Sequence, residues 1–167
     1  MRSGDDADFR EFARVRSLAL RRTAYLLCGD WHLAEDLVQN ALVKLHRVWP
    51  KITRRGPVDN YARQVLLRCW LDEQRRPWRR RERRDGVVPE QLSPGPAEGG
   101  ISDPLLRALA EVPPKQRAAV VLRYCADLPV AEVATVLRCS EGTVRSQTAR
   151  GLETLRGVLE HSAERSA

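Results

Sequence analysis

Residues 129–159 read PVAEVATVLRCSEGTVRSQTARGLETLRGVL, and this stretch decides the fold. Its apolar residues recur at three- and four-residue spacing on both sides of Ser140, which predicts two helices joined by a tight turn. Ser140 is a favourable N-cap for the second helix. Thr143 stands where a reciprocal cap usually has Glu or Gln, so the capping box is half present. The stretch therefore predicts a helix-turn-helix.

The second helix of this stretch has two faces when its residues are set about 100° apart. Val144, Leu152 and Leu155 belong to an apolar face that can pack inward. The other face carries small polar residues and arginine, which suit close approach to the DNA major groove. Its candidate DNA-reading residues are Thr143, Arg145, Ser146, Gln147 and Arg150. The alternative is two ordinary amphipathic helices of an all-α core with a solvated polar face, and taken alone the pattern favours DNA binding only modestly.

The composition of the chain favours a polyanionic partner. Its 167 residues carry a formal net charge of +7, and the sequence pI is about 9.8. Nucleic acid is favoured over a membrane, because no segment approaches the roughly 18 consecutive apolar residues of a membrane span. The N-terminal segment is charged and lacks an apolar signal core, so we expect a cytoplasmic protein.

We expect no metal centre, no cofactor, no small-molecule substrate and no enzymatic activity. The cysteines are Cys28, Cys69, Cys125 and Cys139, and none of them forms the closely spaced pairs that bind zinc. No nucleophile is paired with a base, and no glycine-rich phosphate loop is present. Reduced, mostly buried thiols are the expected state.

The first half of the chain predicts three helices. Gly29 and Asp30 supply a stop and an N-cap between the first two, and Pro50 is expected to close the second. The third helix, at 60–74, leads into RRPWRRRERR at 75–84, which holds seven arginines and one glutamate for a net charge of +6. Arginines interleaved with a tryptophan suit phosphate contact and base stacking, which supplies about 1–3 kcal/mol per base. A solvated charged tract explains the same composition.

A flexible linker is predicted where proline and glycine accumulate, in GVVPEQLSPGPAEGG at 86–100. Helical patterns resume after it, and no strand is predicted. We therefore predict an all-α fold of two small helical domains, at 8–84 and 101–160, joined by a flexible linker at 85–100.

Three segments in this order carry a resemblance to a known family. They are RTAYLLCGDWHLAEDLVQNALVKLHRVW at 22–49, NYARQVLLRCWLDEQRRPWRR at 60–80 and VPPKQRAAVVLRYCADLPVAEVATVLRCSEGTVRSQTARGLETLR at 112–156. Together they resemble an extracytoplasmic-function sigma factor of the sigma-70 family, of the actinobacterial SigE-like type. The first two are similar to regions 2.1–2.2 and 2.3–2.4, and the third to region 4. The ordered set is more specific than a helix-turn-helix alone.

The resemblance implies partners and roles. It implies core RNA polymerase and promoter DNA as partners, and it allows an anti-sigma factor as a third. Region 4 would read the −35 element with the recognition residues named above. The residues implied to open and read the −10 element are Tyr61, Arg63, Arg68, Trp70, Asp72, Arg75, Arg76, Trp78 and Arg79. The residues implied to face the polymerase are Glu35, Asp36, Gln39, Asn40, Lys44 and Arg47.

The chain departs from the family pattern at three positions. Arg68 stands where the family has Asn, and Asn40 stands where Glu often occurs. Arg138 occupies the turn of the helix-turn-helix, where Gly is common. A positive φ at Arg138 would cost about 1 kcal/mol, although the side chain could also contact a phosphate.

Other classes of protein remain open from the residues alone. A stand-alone repressor or activator would use the same helix-turn-helix as a dimer on a palindromic site. A helical adaptor that binds proteins would leave the arginine cluster unexplained. A nuclease would need metal-binding carboxylates at useful spacing, which the sequence lacks.

Overall fold

A computed structural model describes residues 2–76 and 103–167, and within these ranges all regular secondary structure is helical. This confirms the predicted all-α class. Trp78, Arg79 and the linker predicted at 85–100 lie outside the described residues. The first part contains α1 (Ser3–Cys28), α2 (Trp31–Thr53) and α3 (Asp59–Gln74). The second contains α4 (Asp103–Glu111), α5 (Pro114–Val120), a π-helical turn (Val121–Cys125), α6 (Val130–Leu137) and α7 (Glu141–Ser166).

The junction between α1 and α2 follows the sequence signals. Gly29 adopts the left-handed conformation at φ 72°, and its N–H donates to the Tyr25 carbonyl at 2.7 Å. Asp30 then caps α2, because its Oδ1 accepts from the N–H groups of His32 at 2.9 Å and Leu33 at 3.2 Å. A stop and a cap on adjacent residues fix the sharp reversal that packs α1 against α2.

The prediction that Pro50 closes α2 is wrong, because the helix continues to Thr53. Proline removes one backbone donor, but burial of the last turn compensates. Ile52 is 8% exposed and joins the core, while the Thr53 hydroxyl donates to the Trp49 carbonyl at 3.0 Å. The loop predicted to begin at residue 51 is correspondingly shorter, and α3 already includes Asp59.

The helix-turn-helix forms as predicted from α6 and α7. Arg138 ends α6 in the left-handed conformation, at φ 55° and ψ 49°. Ser140 caps α7, because its Oγ accepts from the Thr143 N–H at 3.1 Å, and the two hydroxyls lie 2.9 Å apart. The strained turn is thus occupied by an arginine where glycine would be relaxed. Helix α7 runs to Ser166, beyond the domain end predicted at residue 160.

One irregular element was missed by the sequence pattern. The helix predicted over 115–124 changes from α5 to the π-helical turn, where the Ala126 N–H donates to the Val121 carbonyl at 2.9 Å. Val121 and Leu122 stay buried across this change, whereas Tyr124 is 56% exposed. The wider turn keeps two successive apolar residues inward, which the hydrophobic periodicity of an α-helix does not reveal.

A buried arginine bonds to both described parts where they pack against each other. Arg117 of α5 is 3% exposed, and its Nη1 donates to the Leu27 carbonyl at the end of α1 at 2.5 Å. Its Nε and Nη2 donate to the Val112 carbonyl, at 3.1 and 2.9 Å, and Nη2 also donates to the Ala110 carbonyl at 3.0 Å. The guanidinium lies over the Trp70 ring of α3, 5.3 Å from its centre. One side chain therefore contacts three helices from both parts.

The close approach of α5 to α7 depends on the absence of a side chain at Gly151. A Cβ at this position would lie 2.7 Å from Val120 Cγ2 and 3.1 Å from the Gln116 carbonyl oxygen. We expect Gly151→Ala to lower the free energy of unfolding by about 1–3 kcal/mol, because α5 must shift. Thermal and urea unfolding followed by circular dichroism measure this change.

Gly157 on the same helix is the matched control. A Cβ there meets nothing within 4 Å, so Gly157→Ala should stabilise the protein by about 0.5–1 kcal/mol through helix propensity. Equal effects of the two substitutions would show that helix packing at Gly151 is not the constraint.

Candidate nucleic-acid and polymerase interfaces

The first turns of α7 present the predicted recognition residues outward. Val144 and Thr148 are buried on the side of α7 that packs on the neighbouring helices, which fixes the rotation of the helix. The opposite side is open to solvent. Thr143, Arg145, Ser146 and Arg150 are exposed and Gln147 is half-buried, as predicted from the two faces of the helix.

Helix α3 divides the predicted −10 residues between two sides. Arg68, Asp72, Arg75 and Arg76 are exposed and fall on one side at about 100° per residue, with half-buried Tyr61 among them. Their spacing makes a continuous polar and mostly basic stripe along the helix.

The remaining described −10 candidates lie on the opposite side of α3. Trp70 is 0% exposed and sits beneath Arg117, so in this arrangement it is a core residue. Arg63 is half-buried, and its Nη1 donates to Asn60 Oδ1 at 3.1 Å. Arg63 also lines a cavity of about 250 Å³ between α1, α3 and the π-helical turn. These two side chains are therefore separated from the stripe by the width of the helix.

The outer face of α2 gathers the predicted polymerase-facing residues. Asp36, Gln39, Asn40, Lys44 and Arg47 are exposed on one face, and Glu35 is half-buried at its edge. The predicted set thus lies on a single continuous surface.

Sequence reasoning missed the apolar component of this surface. Val43 lies at the centre of the polar face and is 52% exposed. Beside it, a groove of about 570 Å³ between α1 and α2 is lined by residues of both helices. They are Phe9, Arg10, Ala13, Arg14, Ser17, Gln39, Leu42, Val43, His46 and Arg47. An exposed valine within the polar face of a long helix is the sequence signal that could have revealed it.

Charged groups line the rim of the groove. Arg14 forms an ion pair with Glu11 at 2.7 Å, and this pairing lowers the pKa of the Glu11 carboxyl. His46 Nε2 lies 3.1 Å from Asp6 Oδ1, with the Phe9 ring edge-on to the imidazole at 4.9 Å. Such exposed pairs contribute little to stability, so the rim remains available to a partner.

Two searches of the described part of the chain concern metal ligands and helix hydropathy. The cysteines are free and dispersed, and no group of three or more His, Cys, Asp or Glu side chains there could hold a metal ion. Every helix in the same residues is too short or too polar to cross a bilayer.

Both parts of the chain match models of known protein families. Residues 12–80 match the description Sigma-70 region 2, and residues 102–155 match Sigma-70, region 4. The chain is 34% identical over 165 residues to the RNA polymerase sigma-E factor of Streptomyces avermitilis, which covers 96% of this chain and 89% of the relative. It is 32% identical over 176 residues to the ECF RNA polymerase sigma factor SigE of Mycolicibacterium smegmatis, covering 97% of this chain and 67% of the relative.

Solved structures share the fold. The sigma factor RpoE from Bartonella quintana, solved in complex with the anti-sigma factor NepR, matches with a TM-score of 0.74 and 26% identity over 92% of this chain and 97% of that one. CnrH, solved in complex with the cytosolic domain of CnrY, matches with a TM-score of 0.70 and 19% identity over 95% of this chain and 92% of that one.

These matches establish the class of protein, which is a DNA-binding regulatory subunit of bacterial transcription. The chain belongs to the extracytoplasmic-function sigma factors of the sigma-70 family, which confirms the resemblance found in the sequence. Its function is to direct core RNA polymerase to specific promoters and to initiate DNA-templated transcription.

The surroundings of the cysteines determine how their labelling rates depend on pH. Burial raises the pKa of the Cys69 thiol, and partial desolvation beside the cavity raises the pKa of the Cys125 thiol although that residue is largely open to solvent. Cys125 is the exposed cysteine, so we expect iodoacetamide to label it first, but more slowly near neutral pH than a cysteine in the unfolded chain. Because the raised pKa leaves less thiolate, the labelling rate should still be rising above pH 9. Peptide mass spectrometry measures it, and a rate that levels off below pH 8 contradicts the raised pKa.

Proposed function

We propose that the start of α7 reads the −35 duplex in the major groove. The observation that carries this proposal is the outward presentation of Thr143, Ser146 and Arg150 on a helix whose inner face is fixed by the core. Arginine can donate two hydrogen bonds to guanine, and hydroxyl groups can reach bases or phosphates. Arg138, at the exposed turn before the helix, is placed to add a phosphate contact.

The −10 element is proposed to meet the exposed stripe of α3. Arg68, Arg75 and Arg76 supply positive charge for phosphates, and Tyr61 supplies an aromatic ring for base stacking. Opening the duplex costs a few kcal/mol per extruded base, which these contacts would offset together with Trp78 and Arg79. Arg63 and Trp70 would take part only after the parts of the chain separate.

The polymerase is proposed to dock on the outer face of α2 and the adjoining groove. An apolar centre at Val43 within a charged rim has the composition of a protein interface. Lys44 and Arg47 would steer the approach, and Val43 would be buried on binding.

Three further points complete the proposal. The chain is proposed to act in the cytoplasm, and the chemistry of RNA synthesis is assigned to the polymerase rather than to this chain. An anti-sigma factor is proposed as an additional partner, because the fold matches RpoE as solved with NepR.

Run-off transcription with core polymerase tests the proposal. Sheared genomic DNA transcribed with and without the protein should yield new start sites that share motifs near −35 and −10. Tight duplex binding without any new transcript would favour the repressor alternative.

Arg150→Ala is expected to weaken transcription that depends on the −35 element. Loss of one base or phosphate contact should reduce promoter affinity by about 1–3 kcal/mol, or roughly 5- to 150-fold, as measured by run-off transcription and fluorescence anisotropy. Arg165→Ala removes the same charge from an exposed position at the far end of α7 and serves as the control. Equal losses in the two variants would indicate a general charge effect instead of recognition.

Val43→Asp is expected to weaken binding to core polymerase by at least about tenfold, because it places an unpaired charge at the centre of the interface. Biolayer interferometry with immobilised core enzyme measures this. Val15→Asp is the matched control, since Val15 is also 52% exposed but lies outside the groove lining. If both variants bind as tightly as the unmodified protein, the polymerase docks elsewhere.

A further inference from the structure

The cavity of about 250 Å³ between α1, α3 and the π-helical turn has an apolar wall. Leu20, Leu26 and Ala62 are buried at this wall, and Phe12 is half-buried beside them. A concave site lined by apolar side chains, with a few polar groups in defined places, is the usual composition of a small-molecule site. Volumes of about 300–1,000 Å³ hold drug-sized ligands, so this cavity suits a smaller molecule.

The charged side chains of the cavity are mostly basic. They are the three arginines Arg16, Arg22 and Arg63 and one carboxylate, Asp59. Arg16 is already paired, because its Nε lies 3.0 Å from Asp59 Oδ1 and its Nη2 donates to Asp59 Oδ2 at 3.4 Å. The remaining two arginines leave the cavity with uncompensated positive charge.

Arg63 is the group whose surroundings most favour a bound anion. It is half-buried, and its Nη1 donates to Asn60 Oδ1 at 3.1 Å, which is a neutral acceptor. Within residues 2–76 and 103–167 no carboxylate forms an ion pair with Arg63 or with the exposed Arg22. A partly desolvated guanidinium gains most from a charged acceptor, and its fork matches the two oxygens of a carboxylate.

The apolar wall indicates what else the ligand carries. Phe12, Leu20 and Leu26 are spread over about four turns of α1, or roughly 20 Å of helix, so the wall is elongated. The short stem of an aspartate or glutamate from a protein partner would leave most of this wall uncovered. A free molecule with an alkyl chain attached to its carboxylate would cover it, and burial of that chain would add to the affinity.

We propose that this cavity binds a small amphipathic carboxylate, with its carboxylate on Arg63 and Arg22 and its alkyl chain along α1. Both matched family regions build the site, because Cys125 and Ala126 close it from the region 4 side. The site is separate from the proposed promoter-reading face of α7 and from the groove beside Val43. Its tests therefore require neither DNA nor polymerase.

Cys125 reports on occupancy of the cavity, because it lines the cavity and is exposed. The probe is octanoate, added to the full chain while iodoacetamide labelling is followed by peptide mass spectrometry. Iodoacetamide is neutral, so the rate measures whether the thiol is covered and not whether the reagent is repelled. Octanoate at about ten times its dissociation constant should slow labelling of Cys125 roughly tenfold, because about nine-tenths of the sites are then filled. Cys139 is half-buried outside the cavity lining and should keep its rate.

Two further probes at constant ionic strength separate the charge from the chain. Octylamine has the same alkyl chain with a positive charge, and acetate has the carboxylate without the chain. Neither should slow labelling of Cys125 at the concentration at which octanoate does. Protection by octylamine equal to that by octanoate would show adsorption to apolar surface, and equal protection by acetate would show a general anion effect. Either result overturns the proposal, as does an unchanged Cys125 rate in octanoate.

Substitutions in the cavity test the role of the arginines by isothermal titration calorimetry. Arg63→Met removes the charge and should weaken octanoate binding by at least about tenfold, because a charge-assisted hydrogen bond is lost. Arg63→Lys keeps the positive charge and should retain most of the affinity. Arg107→Met removes a charge from an exposed position of α4 outside the cavity and is the matched control.

Arg22→Met repeats the test at an exposed position, where the substitution leaves the core untouched. Circular dichroism confirms that each variant is helical. A loss of octanoate affinity in the Arg63→Met and Arg22→Met variants, with Arg107→Met unchanged, supports the proposed site. Unchanged affinity in both cavity variants, or an equal loss in the Arg107→Met control, overturns it.

Discussion

The arrangement of the helices depends on where the Arg117 guanidinium finds acceptors. Helices α1 and α4 both end near it, and the last carbonyls of a helix have no partner within that helix. Arg117 donates to the carbonyls of Leu27, Ala110 and Val112, so one cation satisfies the ends of two helices and complements their dipoles. Because Trp70 covers the guanidinium, solvent cannot compete for these bonds. Breaking any one contact would leave a buried polar group unsatisfied.

The surfaces that meet partners are set by the opposite faces of the same helices. In α7, burial of Val144 and Thr148 turns the recognition residues outward. In α2, the buried leucines leave Val43 and the charged residues on the outside. In α3, one face joins the core and contacts the second part of the chain, while the other carries the basic stripe. Promoter and polymerase surfaces are therefore by-products of ordinary amphipathic packing, and a residue's role depends on which face it occupies.

The helix junctions, the caps and the faces of α7 could be predicted from the sequence, because each depends on residues close together in the chain. The Gly29–Asp30 junction, the Ser140 cap and the two faces of α7 each depend on residues within one or two turns. Pro50 was misread because burial of Ile52, a tertiary effect, outweighs the missing donor. The burial of Trp70 became evident only from the position of Arg117 over its ring. The place of Val43 beside a groove became evident only from the packing of α1 on α2. Contacts between distant segments leave no periodic trace in the sequence.

The long separation between Leu27 and Arg117, 90 residues, has a consequence for synthesis on the ribosome. At about 5–20 residues per second, roughly 5–20 s pass between the two residues, and the exit tunnel delays Arg117 further. Helices α1–α3 are synthesised in the meantime, while the Leu27 carbonyl lacks its bond to Arg117 and the Trp70 ring lacks the guanidinium that covers it. The region 2 helices therefore leave the ribosome before the residue that bonds to the end of α1 has been made.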